Sequence, residues 1–111
     1  MTPGDLNIPI YRGAKWSFAF EFVVVSTDTP LDLTGLGPFV CQVRDPRGDR
    51  LLATATVTSA YDATGIVTIT LTPTQTRALP TGRVRMGLRD AQGNSYLEGT
   101  PEVKWFTPTP P

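Results

Sequence analysis

The stretch Lys15-Trp-Ser-Phe-Ala-Phe-Glu-Phe-Val-Val-Val25 decides the fold class of this chain. Its alternate positions carry large apolar side chains, namely Trp16, Phe18, Phe20, Phe22 and Val24. A period of two is that of a β-strand with one buried face, so we predict a strand over residues 15–25 with these five side chains in the core. Val23 and Val25 interrupt the alternation, which predicts that both faces are covered near the end of the strand.

Outward from this strand, tight turns punctuate the chain. Four segments have the pattern Asp-x-x-Gly: Asp32-Leu-Thr-Gly35, Asp45-Pro-Arg-Gly48, Asp62-Ala-Thr-Gly65 and Asp90-Ala-Gln-Gly93. The Asp side chain of such a turn accepts a hydrogen bond from the turn backbone, and the Gly closes a hairpin with a positive φ angle. We predict positive φ at Gly48 and Gly93.

Alternating apolar residues predict the remaining strands over residues 7–11, 39–45, 51–59, 66–72, 82–90 and 95–107, the last broken at 99–101. The predicted inward side chains are Phe39, Cys41, Val43, Leu51, Ala53, Ala55, Val57, Val67, Ile69, Leu71, Val84, Met86 and Leu88. Thr72 as a cap followed by Pro73 predicts one short helical turn near residues 73–79. The pattern therefore predicts an all-β fold, an immunoglobulin-like antiparallel β-sandwich of about seven strands. It forms a single domain over residues 1–106 and is followed by a Pro-rich tail over 107–111.

Composition limits the function. The 111 residues include ten basic and ten acidic side chains, no histidine and one cysteine. Without histidine, histidine-based catalysis and histidine metal sites are excluded, and no cofactor motif is present, so we expect no enzyme, cofactor or metal. The zero net charge gives no reason to expect nucleic acid or a membrane as partner. The chain shows no transmembrane stretch and no signal-peptide pattern, so we expect synthesis in a reducing cytoplasm, with Cys41 as a small core residue.

Two groups of residues are candidates for an interface. Apolar side chains near the two ends exceed what one small sandwich can cover: Ile8, Ile10 and Tyr11 at one end, Trp105 and Phe106 at the other. Outward arginines form the second group: Arg44, Arg83, Arg85 and Arg89. These arginines either form a ladder of exposed pairs with Glu98 and Glu102 or present a docking face. Arg47-Gly48-Asp49 matches the integrin-binding tripeptide, but a three-residue match on a Pro/Gly turn has little weight.

The order of the turn and strand motifs adds a family resemblance. The motifs are Asp32-Leu-Thr-Gly35, Gln42-Val-Arg-Asp45, Leu52-Ala-Thr54, Asp62-Ala-Thr-Gly65, Leu71-Thr-Pro-Thr-Gln-Thr-Arg-Ala-Leu79 and Leu88-Arg-Asp90. Over about residues 6–106 the chain resembles the small β-sandwich domain of bacteriophage tail proteins, such as the N-terminal domain of baseplate upper proteins. The resemblance implies a virion structural module.

The resulting hypothesis is a non-enzymatic structural protein of a bacteriophage virion. It would be an adaptor linking tail, baseplate or fibre components through contacts with other virion proteins and with copies of itself. A capsid decoration protein, or a carbohydrate-binding or adhesion module, is the alternative. A carbohydrate-binding module usually exposes aromatic side chains on one sheet face, whereas the aromatic side chains here concentrate on the predicted buried face of residues 15–25.

Overall fold

In the computed structural model the described residues are 4–24, 26–47 and 49–105. They form twelve short strands and one helix. The elements are β1 (Gly4–Asp5), β2 (Ile10–Arg12), β3 (Trp16–Glu21), β4 (Val23–Val24), β5 (Thr29–Pro30), β6 (Val40–Arg44), β7 (Leu51–Thr58), β8 (Ile66–Leu71), α1 (Pro73–Arg77), β9 (Gly82–Arg83), β10 (Arg85–Arg89), β11 (Ser95–Gly99) and β12 (Glu102–Trp105).

Seven of these strands pair in the order β1-β11-β10-β6-β7-β8-β3. All of these pairs are antiparallel except β1 with β11. Strand β7 joins the two halves of this sheet, because Ala55 and the residues before it pair with β6 while Thr56–Thr58 pair with β8. The inward side chains of both halves belong to one buried cluster. The all-β, sandwich-like fold predicted from the sequence is thus confirmed.

The inward sides of β6, β8 and β10 form the centre of the core. Fully or almost fully buried are Cys41, Val43, Val67, Ile69, Leu71, Met86 and Leu88. Each of them lies on the side predicted from the alternation, because strands with partners on both edges have their apolar face covered along their length. Val84, which separates β9 from β10, is buried as well. The period-two pattern therefore places the central strands correctly.

Strand β3 differs from the prediction because it is the edge strand of the seven-stranded sheet. Trp16 is buried, but Phe18 is 39% exposed, and Phe20, Phe22 and Val24 are only partly buried. The parity of the strand is right, while the expectation that all five side chains are core is wrong. An edge strand has a neighbour on one side only, so the second layer does not cover its full length. The expectation that both faces are covered at Val23 is also wrong, since Val23 is exposed; Val25 lies outside the described residues.

Two β-bulges explain the other differences. Leu52 is skipped in the register of β7 with β6, where Arg44 pairs with Leu51, and Leu51 is 45% exposed instead of inward. A one-residue bulge exchanges the two faces of a strand, so Leu52 packs against the core in its place. The second bulge lies between β11 and β10, where Leu88 pairs with Leu97 and Arg89 pairs with Ser95, so that Tyr96 is skipped. At this bulge the two consecutive residues Tyr96 and Leu97 are both buried.

The turns and the helix follow local chemistry. In all four Asp-x-x-Gly segments the Asp Oδ1 accepts a backbone N–H of its own turn, from Thr34, Asp49, Thr64 and Gln92 respectively. Gly93 has a φ of 86°, as predicted, and Gly48 lies outside the described residues. Thr72 caps α1 in a reciprocal arrangement with Gln75, whose side chain accepts the Thr72 N–H. The helix is shorter than predicted and ends at Arg77.

The terminal segments pair with each other. Strand β2 lies parallel to β12, with Ile10 opposite Val103 and Tyr11 opposite Lys104, and β9 pairs with the other edge of β12. The first predicted strand, residues 7–11, is therefore replaced by β1 and β2. The last strand breaks between β11 and β12, as the sequence predicts.

Candidate docking groove

Three of the four candidate arginines lie together on the outer face of β6 and β10. Arg85 is the direct cross-strand partner of Arg44, and Arg89 is the partner of Val40. The guanidinium groups border a groove of about 570 Å³, which is also lined by Val40, Gln42 and Glu98. Arg83 is not part of this face, because the chain changes sheets at Val84, and its Nη1 donates to the carbonyl oxygen of Thr100 (2.9 Å).

Gly87 forms the floor of the groove. It is the central residue of β10 and lies between Gln42 of β6 and Glu98 of β11 in the register of the sheet. A Cβ atom at this position would meet the Leu97 carbonyl oxygen at 3.5 Å and the Glu98 Cγ at 3.9 Å, which are ordinary van der Waals distances. The fold thus has room for a side chain at residue 87. Because glycine has none, the backbone of β10 is partly accessible at the floor of the groove.

The positive charge of the groove has no ionic partner inside the described residues. Their one ion pair joins Lys104 Nζ to Glu102 Oε1 at 3.3 Å, and neither of these residues lines the groove. Arg44 donates only to Gln42 Oε1 (3.0 Å), and Glu98 lies within salt-bridge distance of none of the three arginines. The sequence left two interpretations of the outward arginines, a ladder of ion pairs with Glu98 and Glu102 or a docking face. Among the described residues, the ladder of ion pairs does not form.

Two like charges face each other in this arrangement. Residues directly opposite in an antiparallel pair have Cβ atoms about 4.5–5.5 Å apart, and like charges at that distance destabilise the pair. Both side chains end in a guanidinium group, so the repulsion between Arg44 and Arg85 remains until a group of opposite charge binds. A bound carboxylate would relieve it, since guanidinium groups bind carboxylates through paired N–H donors.

The terminal candidates have different surroundings. Ile10 is fully buried in the core cluster and Ile8 packs against that cluster, so the chain itself covers the apolar surface for which a partner was expected at Ile10. Tyr11 remains 43% exposed on β2. Trp105 ends β12, but its side chain lies outside the described part, as does the whole of Phe106.

Two groups with chemical reactivity, Cys41 and Asp90, are buried and do not line the groove. Cys41 is fully buried, and desolvation raises the pKa of its thiol to about 12. Asp90 is nearly buried; burial raises its pKa, but hydrogen bonds from Asn94, Tyr96 and Gln92 outweigh this and lower the pKa overall. Within the described ranges no three His, Cys, Asp or Glu side chains come together as a metal-binding group, and no helix there is long and apolar enough to cross a membrane.

Sequence patterns had indicated the arginines but not the rest of the groove. Gly87, Gln42 and Val40 were missed because none of them carries a charge. The signal that could have found Gly87 is its place in Arg83-Val-Arg-Met-Gly-Leu-Arg89, where a glycine occupies an outward position between two arginines. A glycine inside a strand often marks the close approach of a ligand or of another backbone.

Comparison with known proteins gives no family for this chain. No model of a protein family matches it, and no curated protein matches it.

Proposed function

We propose that this chain is a non-enzymatic structural protein of a bacteriophage virion. It would act as an adaptor that links tail, baseplate or fibre components through protein–protein contacts and is made in the host cytoplasm. The observation that carries the docking role is the groove over Gly87, whose three arginines form no ion pair with any acidic side chain of the described residues. The virion assignment rests on the resemblance in motif order from Asp32-Leu-Thr-Gly35 to Leu88-Arg-Asp90.

The chemistry of the groove supports binding over catalysis. Arginine is neither a nucleophile nor a proton acceptor at neutral pH. The other side chains of the groove are those of Val40, Gln42, Met86, Glu98 and Thr100, and no histidine or cysteine is among them to activate the threonine hydroxyl. The one thiol of the chain is buried with a raised pKa, which keeps it protonated and unreactive. Arginine is, in contrast, enriched at protein interfaces and at their energetic hot spots.

Virus particles provide the test. Particles produced from the genome that encodes this chain would be purified and analysed by mass spectrometry and by image reconstruction. We expect the chain at a fixed copy number on one substructure. Particles that lack the protein and nevertheless assemble and infect normally would refute the proposal, as would a purified protein that turns over a substrate or binds a glycan tightly.

A charge reversal separates docking from folding. Arg85 is exposed, so Arg85→Glu should leave the melting temperature nearly unchanged while reducing incorporation into particles. The difference from the wild type should be largest at low salt, because salt screens the charges of the docking face. Lys15→Glu is the matched control, because Lys15 is also exposed, changes charge by the same amount and lies outside the groove. Equal incorporation of the two variants would show that the arginine face is not the docking surface.

A further inference from the structure

Charge is unevenly distributed over a chain whose net charge is zero. Residues 16–43 and 51–76 contain no lysine or arginine, whereas residues 77–89 contain four arginines and no acid. The carboxylates of the first two stretches are exposed: Glu21, Asp28, Asp32 and Asp62. The two signs of charge are thus separated in sequence, and the fold decides whether they are also separated in space.

Backbone hydrogen bonds bring most of these carboxylates to one place. The Phe22 N–H donates to the Gly65 carbonyl (2.8 Å), and the Leu31 N–H donates to the Phe22 carbonyl (2.8 Å). The Leu33 N–H donates to the Asp62 carbonyl (2.9 Å). Glu21, Asp32 and Asp62 therefore lie on adjoining segments at one end of the fold, and we call these three residues the acidic end. None of the three forms an ion pair within the described ranges.

Two carboxylates of the acidic end are held in fixed positions. Asp32 Oδ1 accepts the Thr34 N–H at 3.0 Å, and Asp62 Oδ1 accepts the Thr64 N–H at 2.9 Å and its hydroxyl at 2.6 Å. These hydrogen bonds lower the pKa of both groups, so both are ionised at neutral pH. The Thr34 side chain also forms a hydrogen bond with Asp32 and is the largest cause of its lowered pKa. Both aspartates are exposed, so their carboxylates can accept further hydrogen bonds from outside. Groups already fixed in place lose less conformational entropy on binding.

We propose that the arginine groove of one copy of this chain binds the acidic end of a second copy, with Arg44 and Arg85 facing Asp32 and Asp62. This inference rests on the proposed function and names the partner of its docking groove. Two adjacent guanidinium groups meet two adjacent carboxylates, and each pair relieves the like-charge repulsion of the other. Because the two surfaces differ, the contact is head-to-tail, which builds rings or filaments of the kind a virion substructure contains.

Gly87 supports the same arrangement. A glycine in the middle of a strand destabilises it relative to alanine, and the packing around Gly87 does not require one. The open backbone between the arginines lets a turn of a neighbouring copy approach the sheet closely. Asp62 and Asp32 lie at exposed positions of such turns.

Sedimentation of the purified full chain tests the proposal. We expect association that increases with protein concentration and disappears between about 0.01 M and about 1 M salt, over which the screening length falls from about 30 Å to about 3 Å. Arg44→Gln with Arg85→Gln should weaken association at least about tenfold, as should Asp32→Asn with Asp62→Asn, because each removes charge-assisted contacts. Asparagine keeps the Oδ1 acceptor of the turns, so the second variant should fold normally.

Mixing the two double variants gives the decisive result. Each is defective in one surface and keeps the other, so the mixture should form a complex of one copy of each, while either alone remains monomeric. Gly87→Val should block association without lowering the melting temperature.

A wild-type chain that stays monomeric at low salt, or a mixture that forms no complex, would overturn the proposal. If such a chain is still found in purified particles, self-association fails while the virion function stands; if particles lack the chain, the proposed function fails whatever the sedimentation result.

Discussion

Two glycines on neighbouring strands should respond oppositely to the same substitution, Gly87→Ala and Gly99→Ala. Gly87 has room for a Cβ atom, with its nearest contacts at 3.5 and 3.9 Å. At Gly99 a Cβ atom would clash with the backbone carbonyl of Leu6 and would lie 2.7 Å from the Asn7 Oδ1. The same methyl group thus enters open space in β10 and occupied space in β11.

The structure sets the size of each effect. Gly99→Ala forces the backbone of Leu6 away, which endangers the hydrogen bonds from Leu6 N–H to the Glu98 carbonyl (3.0 Å) and from Thr100 N–H to Asn7 Oδ1 (2.9 Å). Overpacking contributes about 1–3 kcal/mol, and two lost hydrogen bonds contribute about 1 kcal/mol each. We expect a loss of about 3–5 kcal/mol. Gly87→Ala should instead gain about 0.4–1 kcal/mol, because alanine restricts the unfolded chain without strain in the folded one.

Urea denaturation gives the change in the free energy of unfolding, and thermal melts give the change in melting temperature; both can be followed by tryptophan fluorescence. At about 4 °C per kcal/mol for a domain of this size, Gly99→Ala should lower the melting temperature by about 10–20 °C, while Gly87→Ala should leave it unchanged or raise it slightly. A Gly87→Ala variant that is destabilised by more than about 1 kcal/mol would show that the fold itself needs this glycine, and it would remove one argument for a partner at the groove.

Three further predictions concern stability and reactivity. Ile69→Ala, in the fully buried centre of β8, should destabilise the protein by about 2–5 kcal/mol in urea melts. Phe18→Ala should cost less than the roughly 3–5 kcal/mol typical of a buried phenylalanine, because Phe18 is 39% exposed. A Phe18→Ala loss as large as that of a fully buried phenylalanine would contradict the edge position of β3. Asp90 has a lowered pKa in the folded protein, so its contribution to stability is present at neutral pH and disappears as the pH falls through that pKa. The stability difference between the wild type and Asp90→Asn should therefore be largest near pH 7 and should shrink below about pH 3.9. A stability difference that is independent of pH would refute the role of the Asp90 charge. The Cys41 thiol should react with a disulfide reagent at neutral pH only after denaturant is added, because it is buried and its pKa is raised to about 12; rapid reaction of the native protein would show that the core opens there.

Local patterns identified what depends on neighbours in sequence. Alternation separated the two faces of β6, β8 and β10, and residues such as Ile69 and Leu88 are buried as predicted. Turn chemistry located the four Asp caps, and Thr72 followed by Pro73 located the start of α1. These features are decided within a few residues of chain, where the hydrogen-bonding partner or the shared face lies close by in sequence.

Pairing across the sheet decided the rest. The alternation in residues 15–25 fixed which side chains share a face, but the position of β3 at the edge decided that Phe18 stays exposed. The bulge at Leu52 exists only in relation to β6, so the sequence of β7 alone could not reveal that Leu51 turns outward. Likewise, a sequence pattern shows that Arg44 and Arg85 both point outward, but only the pairing of β6 with β10 makes them direct neighbours.

The sequence by itself determined the fold class, the turns and the outward position of the arginines, because each of these follows from a period or from a hydrogen bond within a few residues. Only the tertiary structure decided that Arg44, Arg85 and Arg89 surround Gly87 without an ionic partner, that Arg83 lies elsewhere, and that Ile10 is buried against the opposite end of the chain. These facts depend on which strands become neighbours. That choice is made by packing the whole core at once, and no short segment contains the information.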